Sequence, residues 1–121
     1  MNKNIINYFS SEKLRLKANF HTHTILSDGM MSAEDAVSLY SKLGYHVLAL
    51  SDHDIYKEYS GDKVSPLIIP ALEITKGGCH VLQVGSGIHV APNSDRQEVI
   101  NAIKKNGAFS VICHPNQTLL F

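Results

Sequence analysis

Apolar residues recur along the chain with two different spacings, at every second position in some segments and at helical spacing in others. These spacings predict the order of its strands and helices. Leu14 to Thr22 is apolar at every second position, which is typical of a strand. Segments after Ser32 and Ser94 repeat apolar residues at helical spacing, which predicts helices that end at Gly44 and Gly107. Further short apolar runs predict strands at Val47 to Leu50, Leu67 to Leu72, Cys79 to Val84 and Phe109 to Cys113.

This order of elements is strand, helix, three strands, helix and strand, which favours an α/β fold with a largely parallel sheet. The third strand contains Pro70, which is expected of an edge strand or a bulge. The chain has 121 residues, of which 44% are apolar and 18% charged, so we expect one domain with its own core.

The net charge and the hydropathy of the chain exclude some classes of binding partner. Lys plus Arg and Asp plus Glu both number 11, so the net charge is zero and a strongly basic nucleic-acid binder is not expected. The longest apolar stretches, such as Pro66 to Leu72, are too short to span a membrane, and the N-terminus has no signal-peptide core. We therefore expect a cytoplasmic protein without a membrane partner.

Histidine and carboxylate side chains recur at the ends of the predicted strands. The chain has seven histidines. The residues at or beside strand ends are His21, His23, His53, Glu73, His80 and His114. His21 and His23 are two positions apart, so both point to one face of their strand. Because sites in parallel α/β folds lie at the carboxyl ends of strands, we expect these side chains to converge.

This combination of residue types predicts a metal centre. Neutral imidazoles bind Zn²⁺, Mn²⁺ or Fe²⁺, and a carboxylate can bridge two such ions about 3.5–4 Å apart. One isolated buried histidine is more often a hydrogen-bonded core residue, so the hypothesis depends on number and placement. A His-rich cluster without cysteine is typical of a hydrolytic centre. Strand alternation predicts that Cys79 and Cys113 face away from the cluster as packing residues.

The same residues, in this order, resemble the polymerase and histidinol phosphatase (PHP) superfamily. The matching motifs are His21-Thr22-His23-Thr24, Ser27-Asp28-Gly29, Ser51-Asp52-His53, Glu73, His80 and His114-Pro115. They run from about residue 16 to residue 115 and are specific in combination. The resemblance implies the N-terminal part of a distorted (β/α)7 barrel with a largely parallel sheet, formed as a single PHP-like domain over residues 1–121.

The resemblance also implies two or three divalent metal ions, either Zn²⁺, Mn²⁺ or Fe²⁺. His21 and His23 would bind the first ion. Glu73 would bridge the first and second ions, and His80 and His114 would complete the second.

Three more residues belong to the implied site. Asp28 and His53 would bind a third ion, whereas Asp52, turned away from His53 by strand alternation, is expected to support ligands instead of binding metal. The implied reaction is hydrolysis of a small phosphorylated substrate by a metal-bound hydroxide. No catalytic residue is implied beyond the metal ligands.

The sequence departs from the family after His114. Family members carry a later Asp-x-His motif that supplies the first and third ions, and this sequence contains no such motif. The resemblance thus implies a domain without its last strands and last ligands, in which the second ion is held best. An open sheet edge and the apolar Leu119-Leu120-Phe121 predict self-association.

Three functions stay open from the sequence. The leading hypothesis is a metal-dependent phosphoesterase. The first alternative is a non-catalytic metal-binding PHP remnant, which the missing motif favours. The second is a PHP module associated with DNA replication or repair, against which the zero net charge and the 7% aromatic content argue.

Overall fold

The computed structural model describes residues 14–61 and 65–115. The elements in these ranges are β1 (Ala18–Thr22), α1 (Ala33–Lys42), β2 (Val47–Leu50), β3 (Leu67–Ile74), β4 (Val81–Val84), α2 (Arg96–Lys105) and β5 (Phe109–Ile112). The first strand is shorter than its pattern predicts: it begins at Ala18 and not at Leu14. The apolar residues 119–121 lie outside the described ranges.

The five strands form one curled sheet in chain order, which resembles half of a barrel. β1 pairs with β2 and β2 with β3 in parallel, whereas β3 pairs with β4 and β4 with β5 in antiparallel. The sequence-based prediction of a largely parallel sheet in a (β/α)7 barrel is therefore wrong. The described chain is a small α/β structure with a mixed five-stranded sheet and two helices.

The length of one connection explains why β4 runs antiparallel to β3. Residues 75–80 join β3 to β4, and Lys76-Gly77-Gly78 lies within this short connection. A parallel pair needs a crossover of about a dozen or more residues, usually with a helix. Only a hairpin fits here, and the glycine-containing turn was the sequence signal for it.

Pro70 lies inside β3 without breaking it. β3 is an interior strand whose pairing with β2 and β4 has no register shift, so neither the expected edge strand nor the expected bulge is found. Leu67 and Glu73 donate their N–H groups towards the β2 side. Strand alternation therefore turns the nitrogen of Pro70 towards the β4 side, beyond Val84, where β4 ends. Pro70 therefore lacks a donor only opposite Gly85, just past the end of β4, and its carbonyl still accepts the Gly85 N–H at 2.8 Å.

The main apolar core lies between α2 and the outer face of the antiparallel half. Its buried members are Leu72, Ile74, Val81, Val90, Val99 and Ile103. α2 begins after Asp95, whose carboxylate accepts the N–H groups of Gln97 and Glu98, so the predicted N-cap at Ser94 is one residue early. Because alternate β3 residues fill this core, Glu73 points to the opposite, inner face.

Both edges of the sheet expose large apolar side chains. In β1 Phe20 is 46% exposed, and in β5 Phe109 is 79% and Val111 is 50% exposed. Neither helix in the described ranges, each of ten residues, is long and apolar enough to cross a membrane.

The exposed edges lead us to expect self-association in solution. Light scattering should show a mass that rises with protein concentration, and Phe109→Lys should reduce that rise because a charge opposes edge pairing. Met30→Lys is the control, since Met30 is 95% exposed but lies outside the strands. A wild-type mass that stays monomeric at every concentration would contradict this expectation.

Candidate metal centre

Glu73 lies at the centre of a group of histidines on the inner face of the sheet, and its side chain is fully buried. Its Oε2 atom lies 2.9 Å from Nε2 of His21 and 2.8 Å from Nε2 of His23. The same oxygen lies 3.3 Å from Nδ1 of His53. Three imidazoles therefore face one carboxylate oxygen.

The other oxygen of Glu73 faces a different pair of histidines. Its Oε1 atom lies 3.0 Å from Nδ1 of His80 and 3.7 Å from Nε2 of His114. The two oxygens of one buried carboxylate thus serve two separate sets of imidazole nitrogens. This is the arrangement expected of a carboxylate that bridges two ions.

The five imidazoles form a closed ring around the carboxylate. Neighbouring ring centroids are 4.3 to 6.0 Å apart. Their order around the ring is His21, His23, His53, His80 and His114. The other two histidines, which are exposed, take no part in it. Residues that are up to 93 positions apart in the sequence therefore meet at one place, as the sequence predicts.

Asp28 joins the ring from the exposed side. Its Oδ1 atom lies 2.7 Å from Nδ1 of His23, and its Oδ2 atom lies 3.2 Å from Nε2 of His53. His23 and His53 each present one nitrogen to Asp28 and the other to Glu73. Burial raises the pKa of Asp28, but the two histidines lower it more. The carboxylate therefore stays ionised at a lower pH than an ordinary aspartate does.

Ser51, the first residue after β2, joins the ends of β1 and β2 by hydrogen bonds. Ser51 accepts the N–H of Thr22 with its hydroxyl at 3.1 Å and donates its own N–H to the Thr22 carbonyl at 2.7 Å. These bonds fix the end of β1 against the end of β2. His21 and His23 stand on either side of Thr22, so Ser51 sets their position relative to His53.

Asp52 holds the loop that carries Asp28. Its buried carboxylate accepts the N–H of Thr24 at 2.7 Å, the hydroxyl of Thr24 at 2.8 Å and the hydroxyl of Ser27 at 2.6 Å. A Cβ atom at Gly29 would overlap the carbonyl oxygen of His23, so this tight turn requires glycine. Asp52 itself points away from the ring and supports two of its members.

Asp54 holds the connection between β3 and β4 in place by hydrogen bonds. Its carboxylate accepts the hydroxyl of Thr75 at 2.5 Å, the N–H of Thr75 at 2.9 Å and the N–H of Lys76 at 3.3 Å. Burial raises the pKa of Asp54, but these hydrogen bonds and the charge of Lys76 lower it more. The connection held in this way leads directly to His80.

We expect Asp54→Asn to lower the free energy of unfolding of the metal-free protein by about 1–3 kcal/mol at pH 7, because the donors lose an ionised acceptor. A lowered pKa in the folded state stabilises above the unfolded value of about 3.9, and this stabilisation is lost as pH falls through the folded value. The difference between variant and wild type should therefore shrink towards pH 3 in urea unfolding.

The control for this measurement is Asp95→Asn, which exchanges two residues that are equally good N-caps. Its effect should be small at both pH values. A destabilisation by Asp54→Asn that is the same at pH 3 as at pH 7 would show that the charge of Asp54 is not its cause.

His114 reaches the ring through an unusual backbone conformation. β5 ends at Ile112, and His114 has φ 48°, in the left-handed region. This conformation costs about 1–2 kcal/mol in a residue other than glycine. It interrupts the strand alternation, which explains why the predicted orientation of Cys113 is wrong.

Cys113 is buried beside the ring and does not face away from it. Its Sγ atom lies 3.9 Å from Nδ1 of His21. Burial and the charge of Glu73 raise the pKa of the Cys113 thiol. The thiol therefore stays protonated at neutral pH in the metal-free chain. Among the described residues, the groupings of side chains that could hold an ion consist of imidazoles and carboxylates and do not include Cys113.

Charge and geometry both fit a divalent cation among these groups. Burial raises the pKa of Glu73, but His21, His53 and His23 lower it more, so Glu73 keeps its negative charge. Nδ1 of His53 is buried and, among the described residues, has no hydrogen-bond partner despite its 3.3 Å distance from Oε2 of Glu73. An unpaired buried nitrogen of this kind is a suitable metal ligand.

The ligand atoms of His21, His23 and Glu73 are close enough together to share one ion. Nε2 of His21, Nε2 of His23 and Oε2 of Glu73 form a triangle with edges of 2.9, 2.8 and 3.2 Å. Ligands bound to a tetrahedral ion at about 2.0–2.1 Å are about 3.3 Å apart, so the two edges to Glu73, which have hydrogen-bond length, would open by about 0.4–0.5 Å around such an ion. Similar groupings join His23 with Asp28 and His53, and His53 with Glu73 and His80. His114, predicted to complete the second site, belongs to none of these groupings among the described residues and lies 3.7 Å from Glu73.

The structure brings together all seven predicted ligands and places Asp52 behind them. The sequence analysis missed the supporting roles of Ser51 and Asp54, although their positions on either side of Asp52-His53 were a signal. Comparison with models of known protein families and with curated proteins found no match.

Proposed function

We propose that this cluster is the metal centre of a phosphoesterase that hydrolyses a small phosphorylated molecule. The observation that carries the proposal is the division of ligands between the two oxygens of Glu73. His21, His23 and His53 face one oxygen, and a second set faces the other. A carboxylate in this position can hold two divalent ions about 3.5–4 Å apart.

Such ions, Zn²⁺, Mn²⁺ or Fe²⁺, supply charge that activates water and stabilises the phosphoryl oxygens. The residues of the chain do the rest. Glu73 supplies the buried negative charge that holds the cations, and the imidazoles fix their positions. Asp28 accepts a hydrogen bond from His23, which orients that ring, or adds an oxygen ligand of its own.

The openness of the cluster favours catalysis over a purely structural role. Structural zinc sites are closed, whereas catalytic sites keep a position free for water or substrate. Here the side chains of His21, His80 and His114 are 31%, 30% and 45% exposed. Asp28 is more exposed still, at 65%. Substrate can therefore reach the ligand atoms from solvent.

Hydrolysis of phenyl phosphate by protein loaded with Mn²⁺, Zn²⁺ or Fe²⁺ tests the proposal. We expect turnover that EDTA removes and metal restores. His80→Ala should reduce turnover strongly, whereas His46→Ala, at an exposed histidine outside the ring, should not. Tight metal binding without hydrolysis would favour the non-catalytic remnant, and hydrolysis confined to single-stranded DNA ends would favour the replication module.

Metal affinity should fall steeply below about pH 6. An imidazole must be neutral to bind a metal ion, and its unperturbed pKa is about 6.5. With five histidines around one carboxylate, several protons compete with the metal at once. Titration with Mn²⁺ at a series of pH values measures this. A constant affinity down to pH 5 would mean that carboxylates alone hold the ion.

A further inference from the structure

A cleft of about 780 Å³ opens beside the metal centre, and the proposed hydrolysis does not account for most of its wall. His80 and His114 form the side next to the centre. The opposite side consists of the connection between β3 and β4 and the start of α2, including Lys76 and Arg96. No carboxylate is among the described residues that line it.

Arg96 presents an incompletely used guanidinium to this cleft. Nη1 donates to the carbonyl of Asn93 at 2.9 Å, and Nη2 donates to the carbonyl of Thr75 at 3.0 Å. Both acceptors are neutral, so these bonds fix the group without neutralising it. A guanidinium has five N–H donors. Nε is buried and, within the described part of the chain, has no partner.

Gly78 allows the backbone to approach this guanidinium closely. A Cβ atom at Gly78 would lie 2.9 Å from Nε and 3.4 Å from Cζ of Arg96, so a side chain there would displace the arginine. Gly77 differs, because its φ of 92° by itself favours glycine. Gly78 has no positive φ, and its lack of a side chain serves the packing against Arg96.

Two cationic side chains, Lys76 and Arg96, line the cleft. The carboxylates beside it are engaged in other contacts. Asp54 accepts three hydrogen bonds from Thr75 and Lys76, Asp95 caps α2, and Glu73 faces the imidazoles of the ring. Lys76 and Arg96 are therefore the groups of the wall that can pair with an anion. Arg96 is the better recognition group of the two, because a fixed, planar guanidinium pairs with two oxygens of an anion.

We propose that this cleft binds a second anionic group, a carboxylate or a phosphate, on the leaving group of the substrate, and that Arg96 selects it. The inference rests on the proposed function, in which the adjoining centre binds the phosphate that is hydrolysed. The substrates are then small phosphomonoesters with a negative charge at each end.

Calorimetry with phosphonates, which are not hydrolysed, tests this directly. The probes are 3-phosphonopropionate and propane-1,3-bisphosphonate, which carry a second anion, and propylphosphonate, which does not. Mn²⁺-loaded wild-type protein should bind at least one of the first two about tenfold more tightly than propylphosphonate, as a charged hydrogen bond predicts. The tighter of the two identifies the group as a carboxylate or a phosphate.

Arg96→Gln should remove this preference while the affinities for Mn²⁺ and propylphosphonate stay unchanged. Gly78→Ala, which keeps the arginine but displaces it, should reduce the preference. Lys104→Gln, in the exposed last turn of α2, is the control and should retain it.

Equal affinities of wild-type protein for the three probes would overturn the inference, as would a preference that survives in Arg96→Gln. Failure of the proposed function looks different. Protein that hydrolyses no phosphoester but shows an Arg96-dependent preference for the doubly charged probes would retain the anion-binding cleft and contradict only the catalytic role.

Discussion

Replacing Glu73 with glutamine is expected to abolish metal binding at both sets of histidines and, with it, phosphoester hydrolysis. The amide has nearly the shape of the carboxylate but lacks its charge and one of its two oxygen acceptors. Loss of groups that merely orient ligands costs about 10–100-fold in metal affinity, so loss of a shared ligand should cost more than about 100-fold. Mn²⁺ titration and turnover of phenyl phosphate measure the two effects.

Glu98→Gln is the matched control for this change, because Glu98 is an exposed residue in the first turn of α2. It should bind Mn²⁺ like wild type. Circular dichroism of the metal-free Glu73→Gln protein should show the native fold, because glutamine can still hydrogen-bond to the imidazoles. A folded Glu73→Gln protein with wild-type metal affinity would remove Glu73 from the centre.

Replacing Asp52 with asparagine is expected to lower metal affinity by about 10–100-fold, although Asp52 faces away from the ligand atoms. Its carboxylate receives three hydrogen bonds from Thr24 and Ser27. An asparagine amide has one acceptor oxygen, and its NH₂ group would meet at least one donor. The loop between His23 and Asp28 should then shift, and with it both side chains.

The same substitution should reduce the free energy of unfolding by about 1–3 kcal/mol, since a buried donor loses its acceptor. Asp35→Asn provides the comparison, because Asp35 accepts the hydroxyl of Ser32 at 2.9 Å on an exposed helix turn. That variant should bind metal normally. If Asp52→Asn unfolds more easily but binds Mn²⁺ like wild type, Asp52 stabilises the fold without positioning the ligands.

The sequence predicts which side chains converge at this site better than it predicts the sheet. His21 and His23 are two residues apart on a strand, and His53 and Glu73 follow or end other strands, so a shared edge brings them together by strand geometry alone. The direction of β4 depends instead on the length of the connection at Lys76-Gly77-Gly78. The order of strands and helices does not contain the length of this connection, so it could not predict that β4 runs antiparallel to β3.

Two other features depend on contacts that no local pattern contains. Strand alternation predicted that Cys113 would point away from the site, but the left-handed backbone of His114 ends that alternation. Arg96 gave no signal in the sequence, because its role follows from contacts with the carbonyls of Thr75 and Asn93. Only tertiary packing brings the start of α2 beside the metal centre.

The most direct test of the central claim is anomalous X-ray scattering from crystals of the protein grown with Mn²⁺. The account predicts two peaks about 3.5–4 Å apart, one at each oxygen of Glu73. The first should contact His21 and His23, and the second His80. Crystals at saturating Mn²⁺ with no peak at Glu73, while its imidazoles keep their hydrogen bonds to the carboxylate, would contradict the account.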